Sequence, residues 1–413
     1  MNNSHELENI NYNYSNLSYR LTKRLDKKTK KKNGIYFTPP KTIKKNLEYI
    51  KKYMDNINTV LEPSCGSCEY ISLLDQTYDN LDITAIEYNK EIYESISDLE
   101  KDNIKIYNQD YLLYKSPLNY DLIIGNPPYF VMKKKDVDPI YYEYFEGRPN
   151  IFIIFIIKSL KLLNKNGILS FILPKNFLNC LYYDKTRKYI LQNFKILNIV
   201  DCIDSYIETT QATINIIIQN TLDKENNNNK FILNNNNKYN ILGTIKNIHI
   251  LKKLYSNSST LSKLNFKVTV GNIVWNQCKS ILTNDNTDTR LIYSSDIKNN
   301  KLDIQIYNNK DKKNYINKNG YNKPILVINR GYGVGKYDFK YCLIKGDMPY
   351  LIENHLICIE YTKKIKTEDL IKMYNKIIKS FENNSTTIFI DLYFGNNAIN
   401  TKELYEILPI YNF

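Results

Sequence analysis

The sequence predicts an α/β chain with a doubly wound, mainly parallel sheet, followed by a second domain of mixed α+β type. Three observations predict it. Between Val60 and Leu173, short apolar runs of β type alternate with helical stretches. The first four runs each end at or next to an acid or an amide: Glu62, Glu87, Asp110 and Asn126. From Lys267 onward the texture changes to short apolar runs broken by Gly, Asn and Asp. The domains are placed at residues 1–243 and 244–413.

Taken in order, residues 1–19 are polar and rich in Asn and Tyr, and are expected to be poorly ordered or a loose cover. The basic run Lys27 to Lys32 follows, then the turn signal Asn33-Gly34. Thr38-Pro39-Pro40 reads as a helix start, with Thr38 as N-cap and proline at the first helical position. Apolar residues at 43, 47, 50 and 54 give that helix, Lys41 to Tyr53, a buried face. A capped helix start with a free hydroxyl can also hold an anion.

Val60-Leu61-Glu62 is a short strand running into the small-residue turn Pro63 to Cys68, with a helix from about Glu69. This is the first βα turn of a doubly wound sheet, where a nucleotide-like ligand approaches the backbone. It has one glycine, not three, and Glu62 stands at its mouth. A carboxylate there suits a cationic ligand better than a pyrophosphate. Leu81 to Glu87 is the second strand, and its acid lies 21 residues after Gly66, the spacing of a ribose-binding acid. Ile104 to Asp110 is the third, with an acid that can accept from an adenine amino group. Asp121 to Ile124 is the fourth, stopped by Gly125 and two prolines. Each acid alone reads equally well as an exposed strand end. Together they fall where open α/β sheets bind ligands.

Lys133 to Pro149 is polar and is expected to be a mobile active-site loop. Asn150 can cap a helix, Ile151 to Asn164, that is apolar nearly all round and ended by Gly167. Ile168 to Leu173 is a strand, Tyr189 to Leu191 belongs to a helix, and Ile196 to Val200 and Thr213 to Ile218 close the sheet near Gln219. Two Asn tracts, at 226–229 and 234–237, mark a low-complexity loop or hairpin tip. Gly243 to Tyr255 is a helical connector. The segment Asn329 to Lys336, with three alternating glycines, is either a loop for close backbone approach to DNA or a plain glycine hairpin.

Composition narrows the partners. The chain has 413 residues, 43% hydrophobic, enough for a large core. Its net charge is +14, and between Arg20 and Lys52 thirteen Lys and Arg face only Asp26 and Glu48. Such a surface suits a polyanion, most often nucleic acid, although a solvated lysine surface accounts for any single residue. Seven scattered cysteines point to a reduced, intracellular protein. Cys65 and Cys68 have no second pair at zinc spacing, and His5, His249 and His355 add no cluster, so no metal is expected. The longest apolar run, Ile151 to Ile157, is far short of a membrane span and is followed by Lys158. The N-terminus has no signal-peptide core, so a cytoplasmic location is expected.

The stretch Asn126-Pro127-Pro128-Tyr129 carries the chemistry. Proline fixes φ and removes a donor, so the carbonyls of Asn126, Pro127 and Pro128 sit in a stiff frame. One amide side chain and one aromatic ring stand beside them. Such a loop offers acceptors to a planar amino group and a face to stack on it, as bases require. A proline-rich turn with Tyr129 capping the core accounts for the same four residues.

The whole set resembles the S-adenosylmethionine-dependent N6-adenine DNA methyltransferases of the gamma class, the TaqI type. Asn126-Pro127-Pro128-Tyr129 is similar to their catalytic tetrapeptide without change, and Thr38-Pro39-Pro40 to their cofactor-clamping start. Glu62 to Gly66 resembles their glycine turn, Glu87 their ribose acid and Asp110 their adenine-reading acid. Asn150, Phe155 and Leu162 to Gly167 resemble later motifs, and Tyr206, six residues before Ala212, stands near their second aromatic. The resemblance covers about residues 34–219; the second half is similar in texture and in Val270 to Trp275. Cys68 replaces a usual glycine and Tyr206 a phenylalanine.

The resemblance implies a Rossmann-like methyltransferase sheet plus a C-terminal α+β target-recognition domain. It implies catalytic Asn126, Pro127 and Tyr129, base stacking by Tyr129 and Tyr206, and cofactor contacts from Thr38, Glu62, Ser64, Gly66, Glu87, Asp110, Pro128 and Phe155. The cofactor is S-adenosyl-L-methionine, the partner double-stranded DNA, and a separate cognate restriction endonuclease is allowed for; a monomer is expected. Two other readings stay open. One is methylation of another planar amino group, on an RNA base or a protein glutamine; the other is a non-catalytic DNA-binding specificity protein.

Overall fold

The computed structural model describes residues 14–413 apart from 205, 210, 222–229, 236–238, 308, 331–336 and 395–398. The chain separates into two compact units, residues 1–248 and 249–413.

The first unit is built on a seven-stranded sheet. Its strands are β1 (Thr59–Glu62), β2 (Asp82–Glu87), β3 (Ile104–Asn108), β4 (Tyr120–Gly125), β5 (Leu163–Pro174), β6 (Lys195–Cys202) and β7 (Thr213–Gln219). Their order is β3-β2-β1-β4-β5-β7-β6, and β7 runs antiparallel to both neighbours. The rest is parallel, as strand–helix alternation demands. The chain leaves β1 toward β2 on one side and returns to β4 on the other, so the strand order reverses beside β1. That is where a crevice opens at the carboxyl ends of the strands.

Alternation along each strand fills both faces. Leu61, Ile86, Ile123, Leu169 and Phe171 pack under helix α6 (Ile151–Lys161), with Phe152, Ile153 and Ile154 fully buried. On the opposite face, Val60, Ile83, Ala85, Leu122 and Ile124 meet α3 (Pro40–Ile50) and α4 (Glu69–Thr77). Each fully buried aliphatic side chain contributes about 1.5–3 kcal/mol. α6 therefore anchors the sheet more firmly than its own propensity, which β-branched isoleucines lower.

Several expectations are corrected. The N-terminal cover is ordered where described: Asn16–Arg24 forms α1, with the Ser15 hydroxyl accepting from the Ser18 N–H at 3.1 Å. Leu21 and Leu25 give it an apolar stripe, and they pack with Phe37 and Ile92. Residues 1–13 lie outside the described residues. The basic run forms α2 (Lys27–Asn33), capped by Asp26 and closed by left-handed Gly34. The stretch after the tetrapeptide is not a merely polar loop. It holds two short 3-10 turns, Lys134–Asp136 and Pro139–Tyr144, and buries Val137, Tyr141, Tyr144 and Phe145 in the core. Its tyrosines carry apolar surface that polar texture hides.

Gly167 does not end α6. It lies inside β5, where a Cβ would come 2.8 Å from the Tyr120 carbonyl and where the pairing with β4 slips. Beyond Gln219 the unit continues: β8 (Ile232–Asn235) and β9 (Tyr239–Leu242) form a hairpin whose Phe231, Ile232 and Leu242 join the same core. The first Asn tract, 226–229, and part of the second lie outside the described residues. Two short helices remain, α5 (Lys90–Glu94) and α7 (Asp184–Asn193).

The second unit is mixed α+β. A four-stranded antiparallel sheet pairs Phe266–Val270, Leu356–Tyr361, Ile325–Asn329 and Tyr341–Ile344 in that order. A second sheet joins Leu282–Thr283, Tyr315–Ile316, Thr289–Ile292 and Tyr350–Ile352. It also holds helices Thr367–Phe381, Asn384–Tyr393 and Thr401–Glu406, and the helix Ile245–Tyr255 spans the boundary between the two units. The glycine-rich segment expected to be a DNA loop or a hairpin lies, at 331–336, outside the described residues. No helix among the described residues is long and apolar enough to cross a membrane.

Candidate active site

The carboxyl ends of β1, β2, β3 and β4 bring Glu62, Glu87, Asp110 and Asn126 to one edge of the sheet. There Glu87, Asp110 and Asn126 border a cavity of about 460 Å³, lined also by Ser64, Gly66, Pro128 and Phe155 among others. That is within the usual size of a small-molecule cleft. A second cavity, of about 40 Å³, shares Ser64, Gly66 and Asn126 with it and adds Thr38 and Glu62. Pro127, Tyr129 and Tyr206 line neither.

The loop after β4 turns on Gly125, whose φ of +151° few other residues adopt. A Cβ there would lie 3.4 Å from Cγ of Glu62. Asn126, Pro128 and Tyr129 are half-buried and Pro127 is buried. The Asn126 amide is held at both ends. Its Nδ2 donates to Oγ1 of Thr38 at 3.1 Å, and at 3.5 Å to the Tyr36 carbonyl and the Tyr206 hydroxyl. Its Oδ1 accepts from the Tyr129 hydroxyl at 2.5 Å. The Tyr36 carbonyl can only accept, which favours the nitrogen end on that side.

Thr38 is thus not a helix cap: Pro39 takes the cap position of α3 with no side-chain bond, and the Thr38 hydroxyl turns to Asn126 instead. The Tyr129 hydroxyl also lies 2.9 Å from the Ile172 carbonyl. The hydroxyl has one proton for these two acceptors, and the Asn126 oxygen, with two lone pairs, keeps room for a second donor. Tyr206 is buried and presents its hydroxyl to Asn126. The arm that delivers Tyr36 and Thr38 approaches the tetrapeptide at Gly34 (φ +65°), where a Cβ would sit 2.6 Å from the Tyr129 nitrogen. Any larger residue would push the arm off. α1 adds a second brace, since the Ser18 hydroxyl bonds Ser67 at 2.7 Å and Glu69 at 2.6 Å beside the glycine turn.

The acids differ in state. Glu62 is 3% exposed, and its Oε2 is buried with no partner among the described residues. Burial first, then the charges of Cys68, Glu87 and Glu69, push its carboxyl well above the usual carboxylate range. Glu87 accepts the N–H groups of Gly66 at 2.9 Å and Asn89 at 2.7 Å. Burial outweighs these bonds and pushes it up to about 7. Asp110 accepts from the Leu112 N–H at 2.8 Å. Cys68 takes a left-handed φ of +57°, which explains why glycine suits the position, and its fully buried side chain enters the core rather than either cavity. Among the described residues no group of three or more His, Cys, Asp or Glu could hold a metal.

Sequence reasoning passed over Phe37 and Tyr88, which line the large cavity, and Lys158, which grips the loop behind Asp110. The signal for Lys158 was visible as a cation inside an apolar helix.

The arrangement fits an adenosine-bearing cation: a lone buried carboxylate oxygen, two acids at neighbouring strand tips and an apolar wall of Pro128 and Phe155. Fold and site define an S-adenosylmethionine-dependent methyltransferase. Residues 6–207 match the model of the Eco57I restriction-modification methylase family. The chain is 26% identical over 414 residues to modification methylase CviBIII of Paramecium bursaria Chlorella virus NC1A, covering 96% of this chain and 99% of that one. It is 29% identical to type II methyltransferase M.AccI of Acinetobacter calcoaceticus, over 42% of this chain and 35% of that one. Among solved structures, the type IIG restriction endonuclease BpuSI is similar at 11% identity and a TM-score of 0.44, over 96% of this chain and 60% of that one. The protein is a DNA methyltransferase of the restriction–modification type.

Proposed function

We propose that the protein methylates the N6 amino group of adenine at a specific site in double-stranded DNA, after the base has left the duplex. One observation carries the reading: Asn126, its amide held by Thr38 and Tyr36, lines the large cavity at the end of the strand next to the acid-bearing strand tips. When bound, the cofactor supplies an electrophilic methyl group on a sulfonium. The adenine amino nitrogen is a poor nucleophile because its lone pair is delocalised into the ring. Oδ1 of Asn126 and the Pro127 carbonyl each accept one of its N–H bonds. That localises the lone pair toward the methyl carbon. Catalysis is then positioning and electrostatics, with no strong base required.

Tyr129 and Tyr206 stack on the extruded base in this reading. Ser64, Gly66, Glu87, Asp110, Pro128 and Phe155 hold the cofactor, with Thr38 and Glu62 behind them. The second unit reads the target sequence. The protein acts as a monomer in the cytoplasm, alongside any separate endonuclease.

Incubation with tritiated S-adenosylmethionine and mixed-sequence DNA, followed by hydrolysis, tests the reaction. Label is expected in N6-methyladenine. Label in cytosine, RNA or protein would overturn the assignment. A second test is Thr38→Val. Because the Thr38 hydroxyl is engaged by Asn126, this change is expected to lower kcat about 10-fold, one oriented hydrogen bond's worth, and Thr38→Ser to restore it. A change in cofactor affinity with kcat intact would place Thr38 in cofactor binding alone.

A further inference from the structure

Helix α6 is apolar on every side until Lys158 interrupts it. A half-buried ammonium at that place needs acceptors, and it finds three. Nζ donates to the carbonyls of Tyr111 at 2.5 Å, Tyr114 at 2.7 Å and Leu112 at 3.0 Å. It also lies 4.8 Å from the centre of the Tyr111 ring. All three carbonyls belong to the turn directly after Asp110. The Asp110 carbonyl accepts from Leu113 and Tyr114, both at 3.0 Å, so the turn curls its remaining carbonyls onto one point. Like carbonyl dipoles aimed together repel unless a cation sits among them.

The neighbours on α6 reinforce the grip. Ser159 bonds the Tyr111 hydroxyl at 2.8 Å, and Phe155, one turn earlier, packs on the Tyr111 ring at 4.8 Å. Asp110, Tyr111 and Phe155 all line the large cavity. We propose that Lys158 is a positioning residue for the cofactor: its ammonium gathers the turn after β3 and holds Asp110 against the cavity. The inference rests on the reading of Asp110 as a cofactor contact.

Charge state matters to this role, because an ammonium has three hydrogens for three carbonyls and a neutral amine has two. Burial lowers the Lys158 ammonium to about 8, against an opposing pull from the Asp110 carboxylate. The other titratable groups around it, Tyr111 and Tyr114, are pushed up by burial and stay neutral in this range. The grip is intact below about pH 8 and loosens above it.

The test uses full-length protein and calorimetric titration with S-adenosylmethionine between pH 6.5 and 9.5. Lys158→Met is expected to weaken cofactor binding at least about 10-fold at pH 7, with kcat at saturating cofactor within about threefold, the split expected of lost ground-state binding. Amides of residues 112–114 should exchange hydrogen faster in the cofactor-free variant. Parent affinity should fall above about pH 8, and the variant should lack that fall. Should Lys158→Met melt, Lys158→Arg carries the test, since its charge persists and its affinity should not fall there. Asp110→Ala is measured beside them. Weakened binding in Asp110→Ala with parent-like binding in Lys158→Met, or a parent-like fall in Lys158→Arg, overturns the inference and spares the reading of Asp110. Unchanged binding in Asp110→Ala overturns that reading, and the inference with it.

Discussion

Asn126→Ala is expected to slow methyl transfer by about 10³-fold or more at saturating cofactor, while cofactor affinity stays within about threefold. On the proposed reading the variant loses the acceptor that localises the nitrogen lone pair and keeps only the Pro127 carbonyl. Its fold should persist, because the Tyr129 hydroxyl retains the Ile172 carbonyl at 2.9 Å and β4 stays buried. The freed hydroxyl of Thr38 borders space that water can enter. Single-turnover rates with tritiated cofactor measure the effect. A rate within tenfold of the parent would remove Asn126 from the chemistry, and a parallel loss of cofactor affinity would recast it as a cofactor residue.

Glu62→Gln should raise stability and weaken cofactor binding together. The Glu62 carboxyl is held well above its ordinary value of 4.5, chiefly by burial. In the unfolded chain it ionises near 4.5; in the cofactor-free fold it keeps its proton to higher pH. Its contribution is therefore fully present below about 4.5 and is lost as pH rises from there through the raised folded-state range. Glu87, raised to about 7, adds the same trend between about 4.5 and 7. The glutamine variant should melt higher than the parent at pH 8, by about 1–3 kcal/mol in stability, and gain less at pH 5. A cation binding near Glu62 favours its ionised form. Parent cofactor affinity should hence strengthen as pH rises through the raised range in which Glu62 ionises, and Glu62→Gln should weaken it about 10- to 100-fold. Calorimetry and thermal melts at both pH values measure this. Parent-like affinity in the variant would leave Glu62 as a structural strain with no ligand to relieve it.

Both predictions concern residues that were legible before any coordinates. Glu62, Glu87 and Asn126 announce themselves because each follows a short apolar run at a fixed chain position, and a strand tip is a local property. Alternation of strands and helices makes the sheet parallel, so the carboxyl edge on which these residues meet was readable too, while the order of the strands came from the structure. What was misread depended on partners far along the chain. Thr38 has the spelling of a helix cap, yet its hydroxyl bonds a residue 88 positions away. Gly167 has the spelling of a helix end, yet it fits a strand against the Tyr120 carbonyl. The stretch after Tyr129 looked like solvent-facing loop because its buried tyrosines are polar by name and apolar by area.

The sequence by itself determined the seven-stranded α/β unit, the strand tips that carry the acids, and the rigid amide loop, because apolar period and proline stiffness act over a few residues. Only the tertiary structure decided which atoms the polar groups find: Thr38 and Tyr36 on the Asn126 amide, three carbonyls on Lys158, and nothing on Oε2 of Glu62. A hydrogen bond is satisfied by whatever atom lies within about 3 Å, and chain separation says nothing about that until the elements have packed.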